Sequence, residues 1–153
     1  LKASYNMGNQ IASHTFDHED LSKMTKKQLS AEMTKTNNAL QSVIGCHATL
    51  LRPPYGNISD VMRKNIKIPM MYWSIDTDDW KWRNAAKVLA ECKNVKDGDI
   101  ILMHDLYPST AEAVKKLVPR LKKKGYELVT VDEMFYYKGI KAEAGKVYAS
   151  GRQ

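Results

Sequence analysis

Polar and apolar residues alternate along this chain in two registers. Between residues 26 and 44, Leu29, Met33, Leu40 and Val43 return at roughly helical spacing. Thr25 and Gln28 match a capping box in front of that stretch, and Gly45 stops it. Shorter helices are predicted over residues 61–66 and 84–92. A longer one is predicted over 110–124, with Gly125 as its cap. Short apolar runs fall between them at residues 10–13, 50–51, 69–75, 100–103 and 128–131, and each reads as a strand. Pro53 and Pro54 halt the second, and the turn at 96–99 precedes the fourth. Residues 1–8 read as the end of a helix, with Gly8 near its cap. Asp132 opens a last short helical piece, and nothing in the pattern places the polar stretch from Lys138 onward.

Short apolar strands alternating with helices predict parallel βαβ units, hence an α/β fold. In such folds chemistry collects in the loops that follow the strands. The polar clusters of this chain fall there. His14 and His18 follow the first strand, Arg52 and Tyr55 the second, Asp76, Asp78, Asp79 and Trp80 the third, and His104 and Asp105 the fourth. A capping Asp or a satisfied histidine explains any one cluster. Four clusters in the same relative position point to one functional rim.

The histidine pair is the most telling of these. Residues four apart on one helical turn share a face, so His14 and His18 are predicted to converge on a single cation. Composition adds context. The 153 residues, 43% of them apolar, suffice for one domain with a core. No apolar run approaches the ~18 residues that cross a bilayer. The net charge is +7, and much of it lies in Lys115, Lys116, Arg120, Lys122, Lys123 and Lys124. These flank Ala113, Val114, Leu117, Val118 and Leu121 as the solvated face of an amphipathic helix. A basic surface also suits an anionic polymer; no nucleic-acid motif is present, and nucleic acid is not an expected partner. Cys46 and Cys92 lack metal-ligand spacing; they read as buried free thiols, with a disulfide as the alternative in an extracellular setting.

Together these segments carry a family resemblance. His14-Thr15-Phe16-Asp17-His18 resembles the H-[ST]-x-x-H motif of the polysaccharide deacetylases, the NodB-homology domain of carbohydrate esterase family 4. Arg52-Pro53-Pro54-Tyr55 resembles the family's R-x-P-Y motif. Asp76 to Trp80 resembles D-x-x-D-W, and Leu102-Met103-His104 resembles L-x-H. The order is the family order, and the likeness spans residues 1–137. It implies a distorted (β/α) barrel and, over residues 1–153, a single catalytic domain that is incomplete at its N-terminal end.

The resemblance also implies roles. His14 and His18 would be metal ligands for Zn²⁺ or a similar ion such as Co²⁺. His104 would be the general acid, with Asp79 holding its other ring nitrogen. Arg52 would orient a catalytic aspartate, the Tyr55 backbone N–H would stabilise the oxyanion, and Trp80 and Leu102 would receive the acetyl methyl. Core packing is the plainer reading of Trp80 and Leu102. The family's first motif, T-F-D-D, supplies the base and a third ligand. Thr15-Phe16-Asp17 imitates its start but lies inside the histidine motif, so it is not given that role. A missing N-terminal segment, covalent or held as a nicked fragment, is therefore an expected partner, and residues 1–153 alone are expected to be inactive. The implied substrate is an extracellular or cell-envelope amino-sugar polymer. Peptidoglycan comes first, chitin-type oligosaccharides next, and O-acetylated xylan is an alternative. A carbohydrate-binding or scaffold protein without activity is the reading from a different class.

Overall fold

The computed structural model describes residues 1–152. The chain folds as two compact units, one of Leu1–Tyr72 with Thr130–Tyr148, the other of Trp73–Val129 with Ala149–Gln153.

The first unit begins with a five-residue helix, α1 (Lys2–Asn6), after which Gly8 takes a left-handed φ of 87°. The long helix α2 (Lys26–Ile44) has the predicted bounds. The Thr25 hydroxyl accepts the Gln28 N–H, and the Gln28 side chain accepts the Thr25 N–H, closing the capping box. Gly45 ends the helix at φ 74°. Its buried stripe is Leu29, Glu32, Thr36 and Leu40. The next helix, α3 (Asp60–Asn65), is capped by Ser59.

Leu21, Leu29, Leu51, Met62, Ile66 and Met70 form this unit's core. Full burial of such side chains contributes about 1.5–3 kcal/mol each. Parallel pairing runs from Ser13 to Leu51 to Met70, and then from β1 (Met70–Met71) to β4 (Val147–Tyr148). Ser13 N–H donates to Leu50 O and Arg52 N–H donates to Ser13 O, both at 2.9 Å, so the two motif-bearing segments are joined immediately before their loops.

One expectation is corrected in this unit, and one unplaced stretch finds its position. Residues 128–131 form no ladder strand. Instead Val131 opens α7 (Val131–Tyr137), because Thr130 and Glu133 make a second capping box. The polar stretch from Lys138 supplies β4, which completes the ladder, with Gly145 turning at φ 75° against the Arg63 backbone.

The second unit holds β2 (Ile75–Asp76) beside β3 (Ile101–Leu102), again parallel. The apolar run at 69–75 is therefore not one strand but two short ones in separate ladders. Its helices are α4 (Asp79–Trp82), α5 (Ala85–Glu91) and α6 (Pro108–Lys123). Asn84 caps α5, and Pro108 starts α6, where a missing N–H costs nothing. Leu117 and Leu121 of α6 pack on Cys92, Ile75 and Ile101. Burial pushes the Cys92 thiol up to about 11, which keeps it an unreactive core residue. Cys46 is also unpaired. Among the described residues no helix is long and apolar enough to cross a membrane.

Candidate functional site

In the first unit, residues 14–18 are a loop and not the helical turn expected from the spacing. Thr15 and His18 both adopt left-handed backbone, at φ 66° and 56°. Such conformations cost a non-glycine residue roughly 1–2 kcal/mol. The two reversals still bring the rings together: the His14 and His18 centroids lie 4.9 Å apart, at 78° to each other. His18 also meets the Tyr55 ring edge-on at 5.1 Å.

His14 Nδ1 lies 2.5 Å from the carbonyl oxygen of Arg52. A carbonyl only accepts, so the proton sits on Nδ1 and the basic lone pair on Nε2. The bond to the carbonyl fixes the orientation of the ring and leaves Nε2 unprotonated. The donor chemistry of His14 and His18 thus fits a divalent cation. Among the described residues no three His, Cys, Asp or Glu side chains gather into a complete cation site.

Arg52 is largely buried, and burial pushes its guanidinium below the ordinary value. One terminal nitrogen reaches the Tyr72 carbonyl at 3.4 Å, while the buried Nε has no partner among the described residues. Tyr55 sits in a tight turn after Pro53-Pro54 at φ 60°, with 67% of its surface exposed. The turn is tied down by the Tyr72 hydroxyl, which donates to the Gly56 carbonyl. A cleft of about 730 Å³ opens beside His18 and Tyr55, walled by Asp20, Lys23, Gln28 and Asn57 among others.

In the second unit, Asp79 is the first residue of α4 and is fully buried. Four donors converge on its carboxylate. His104 gives its backbone N–H at 2.6 Å and its ring Nδ1 at 2.7 Å, the Thr110 hydroxyl reaches it at 2.8 Å, and the Trp80 N–H at 3.0 Å. Burial alone would raise the Asp79 pKa, but the bonds from His104 and Thr110 outweigh it and hold the carboxyl below its usual range. Thr77, also fully buried, donates to the Leu102 carbonyl at 2.7 Å and clamps the ends of β2 and β3. Trp80 is 50% exposed, which rules out a core role for it. Leu102 is buried at 8% exposure.

Two residues that the sequence reading missed stand out. Thr110 supports Asp79 from the first turn of α6. Glu32, at 5% exposure, accepts backbone N–H groups from the loop between the histidines. A carboxylate on the apolar stripe of α2, three residues after Leu29, was a legible signal for Glu32.

Comparison with known proteins identifies the family and the fold. The family model described as polysaccharide deacetylase matches residues 1–68. The peptidoglycan-N-acetylglucosamine deacetylase PgdA of Listeria monocytogenes is 38% identical over 152 residues, covering 97% of this chain. The peptidoglycan-N-acetylmuramic acid deacetylase PdaC of Bacillus subtilis is 34% identical over 83% of this chain. The chain spans only 31% and 27% of those two relatives. A deacetylase solved with substrate is 39% identical, with a TM-score of 0.91 over 96% of this chain and 73% of its own. The family 4 acetyl xylan esterase of Clostridium thermocellum, solved with cobalt, is 28% identical, with a TM-score of 0.93 over 99% of this chain and 77% of its own. The fold is thus the α/β fold of the NodB-type esterases, and the chain belongs to the polysaccharide deacetylase family.

Proposed function

We propose that the protein hydrolyses N-acetyl groups on an amino-sugar polymer of the cell envelope or extracellular space. Peptidoglycan N-acetylglucosamine is the leading substrate and chitin-type oligosaccharide the next. The observation that carries this reading is the buried Asp79 carboxylate bonded to the His104 ring. An amide nitrogen leaves only when protonated. A histidine whose Nδ1–H is committed to a carboxylate presents Nε2 as the proton carrier.

His14 and His18 are the residues of this chain that would hold the cation. A bound Zn²⁺ or Co²⁺ would supply Lewis acidity and a water of lowered pKa. The Tyr55 N–H, presented on a strained turn, suits a developing oxyanion. The buried Nε of Arg52, without a partner among the described residues, suits a carboxylate base. Exposed Trp80 and buried Leu102 each offer apolar surface as a receiver for the acetyl methyl.

Deacetylation of O-acetyl xylan would use the same groups, and the similarity to the Clostridium esterase supports keeping it as the second substrate. Acetate release by the intact, Co²⁺- or Zn²⁺-loaded protein, measured on N-acetylated peptidoglycan, chitin oligosaccharides and acetyl xylan, tests the reading. Release from an N-acetylated polymer that is lost in His104→Ala supports it. Release only from acetyl xylan reassigns the substrate, and no release from any polymer rejects the activity.

A further inference from the structure

We infer that Glu32 is a positioning residue for the histidine pair, setting the shape of the loop between them from the neighbouring helix. This rests on the reading of His14 and His18 as metal ligands. The Glu32 side chain is 5% exposed and lies on the inward stripe of α2. Its Oε2 accepts the N–H of Phe16 at 3.2 Å and of Asp17 at 3.4 Å. Its Oε1 pairs with the Lys35 ammonium at 3.2 Å, and Lys35 also reaches Asp17 at 2.8 Å.

Phe16 and Asp17 lie between the two left-handed residues, Thr15 and His18. The carboxylate therefore grips the middle of the only backbone that separates the rings. Residues 14–18 lie outside the helices and ladders of the described residues, so regular secondary structure does not impose this path. A buried carboxylate also needs donors of its own, and here they are two loop amides and one ammonium. The grip is thus mutual: the loop neutralises the cost of burying Glu32, and Glu32 fixes the loop. The Ser13 hydroxyl, accepting the Thr15 N–H at 3.2 Å, holds the loop's other end.

The test is Co²⁺ binding to the intact protein, followed by titration and by ligand-field absorption, with His14→Ala as control and circular dichroism to verify folding. Glu32→Ala is expected to lose about 10- to 100-fold in Co²⁺ affinity and to shift the spectrum, the range typical of groups that orient a ligand. Glu32→Gln keeps an acceptor oxygen but turns an amide NH₂ toward Lys35, so a smaller loss is expected. Should the alanine variant fail to fold, the glutamine variant decides. A lowered Tm with wild-type Co²⁺ affinity and spectrum makes Glu32 merely structural and overturns the inference. If the wild type itself binds no Co²⁺ in a His14-dependent way, the metal reading fails and this inference falls with it.

Discussion

Asp79 and His104 are joined twice, once through the His104 backbone N–H and once through its ring Nδ1. The first bond fixes where the histidine is, and the second fixes how its ring is turned and which nitrogen bears the proton. Asp79→Asn should therefore lower kcat mainly through His104. We expect His104→Ala to lose roughly 10²–10⁴-fold in kcat with little change in bound metal. The double variant should be scarcely worse than His104→Ala alone. Losses that multiply would break the proposed pairing.

Removing a cation ligand should act on binding before it acts on rate. His14→Ala and His18→Ala are each expected to abolish most of the Zn²⁺ affinity measured by calorimetry on the stripped, intact protein. His14→Ala carries a second consequence, since the Arg52 carbonyl loses its ring donor. Unchanged affinity in both variants would remove the histidines from the site.

Asp20 gives the fold an acid-sensitive point. The Ser22 hydroxyl, together with Asn57, the Ser22 backbone and Lys23, outweighs partial desolvation and lowers its pKa from 3.8 to about 2. A carboxyl whose folded-state pKa is depressed adds stability that is complete above its unfolded value and fades as pH falls toward the folded value. The stability gap between wild type and Asp20→Asn, read by urea unfolding, should be constant from pH 7 to about 5. It should shrink between roughly pH 4 and 2. A gap that widens in acid contradicts the assignment.

Gly145 should not tolerate a side chain. Its φ of 75° and the Arg63 carbonyl facing it leave no room for a methyl. Gly145→Ala is expected to destabilise by more than ~1 kcal/mol, visible as a drop in Tm of at least about 2–4 °C for a chain of this size. An unchanged Tm would mean that the β4 turn relaxes freely.

Much of this molecule could be read from its residues, and the failures have physical causes. The box at Thr25 and Gln28 and the stop at Gly45 are local, so α2 was legible to the residue. The strands were less so: several shrink to a single bridge, as at Ser13 and Leu51, because pairing depends on partners distant in sequence. Residues 128–131 looked like a strand by composition, yet the cap at Thr130 won. The histidine spacing pointed to two rings that do meet, but for the wrong reason. Two left-handed residues, and not a helical turn, bring the rings together. The role of Glu32 was hidden because a glutamate on a helix is ordinarily solvated, and only the stripe it shares with Leu29 and Leu40 betrays it.

The placement of residues 147–152 bears on how the protein is made. Val147 and Tyr148 complete the ladder beside Met70 in one unit. Just beyond them, Ser150, Gly151 and Arg152 fasten onto Asp97, Gly98 and Asp99 in the other. Neither unit can close its hydrogen bonds while that stretch is still inside the ribosome. Vectorial synthesis thus leaves the Met70 edge waiting for a partner nearly eighty positions downstream, a high-contact-order closure that slows folding. The nascent chain is accordingly most prone to sticking in the interval between the emergence of the apolar Met70–Met71 pair and the emergence of Val147 and Tyr148, which cover its edge.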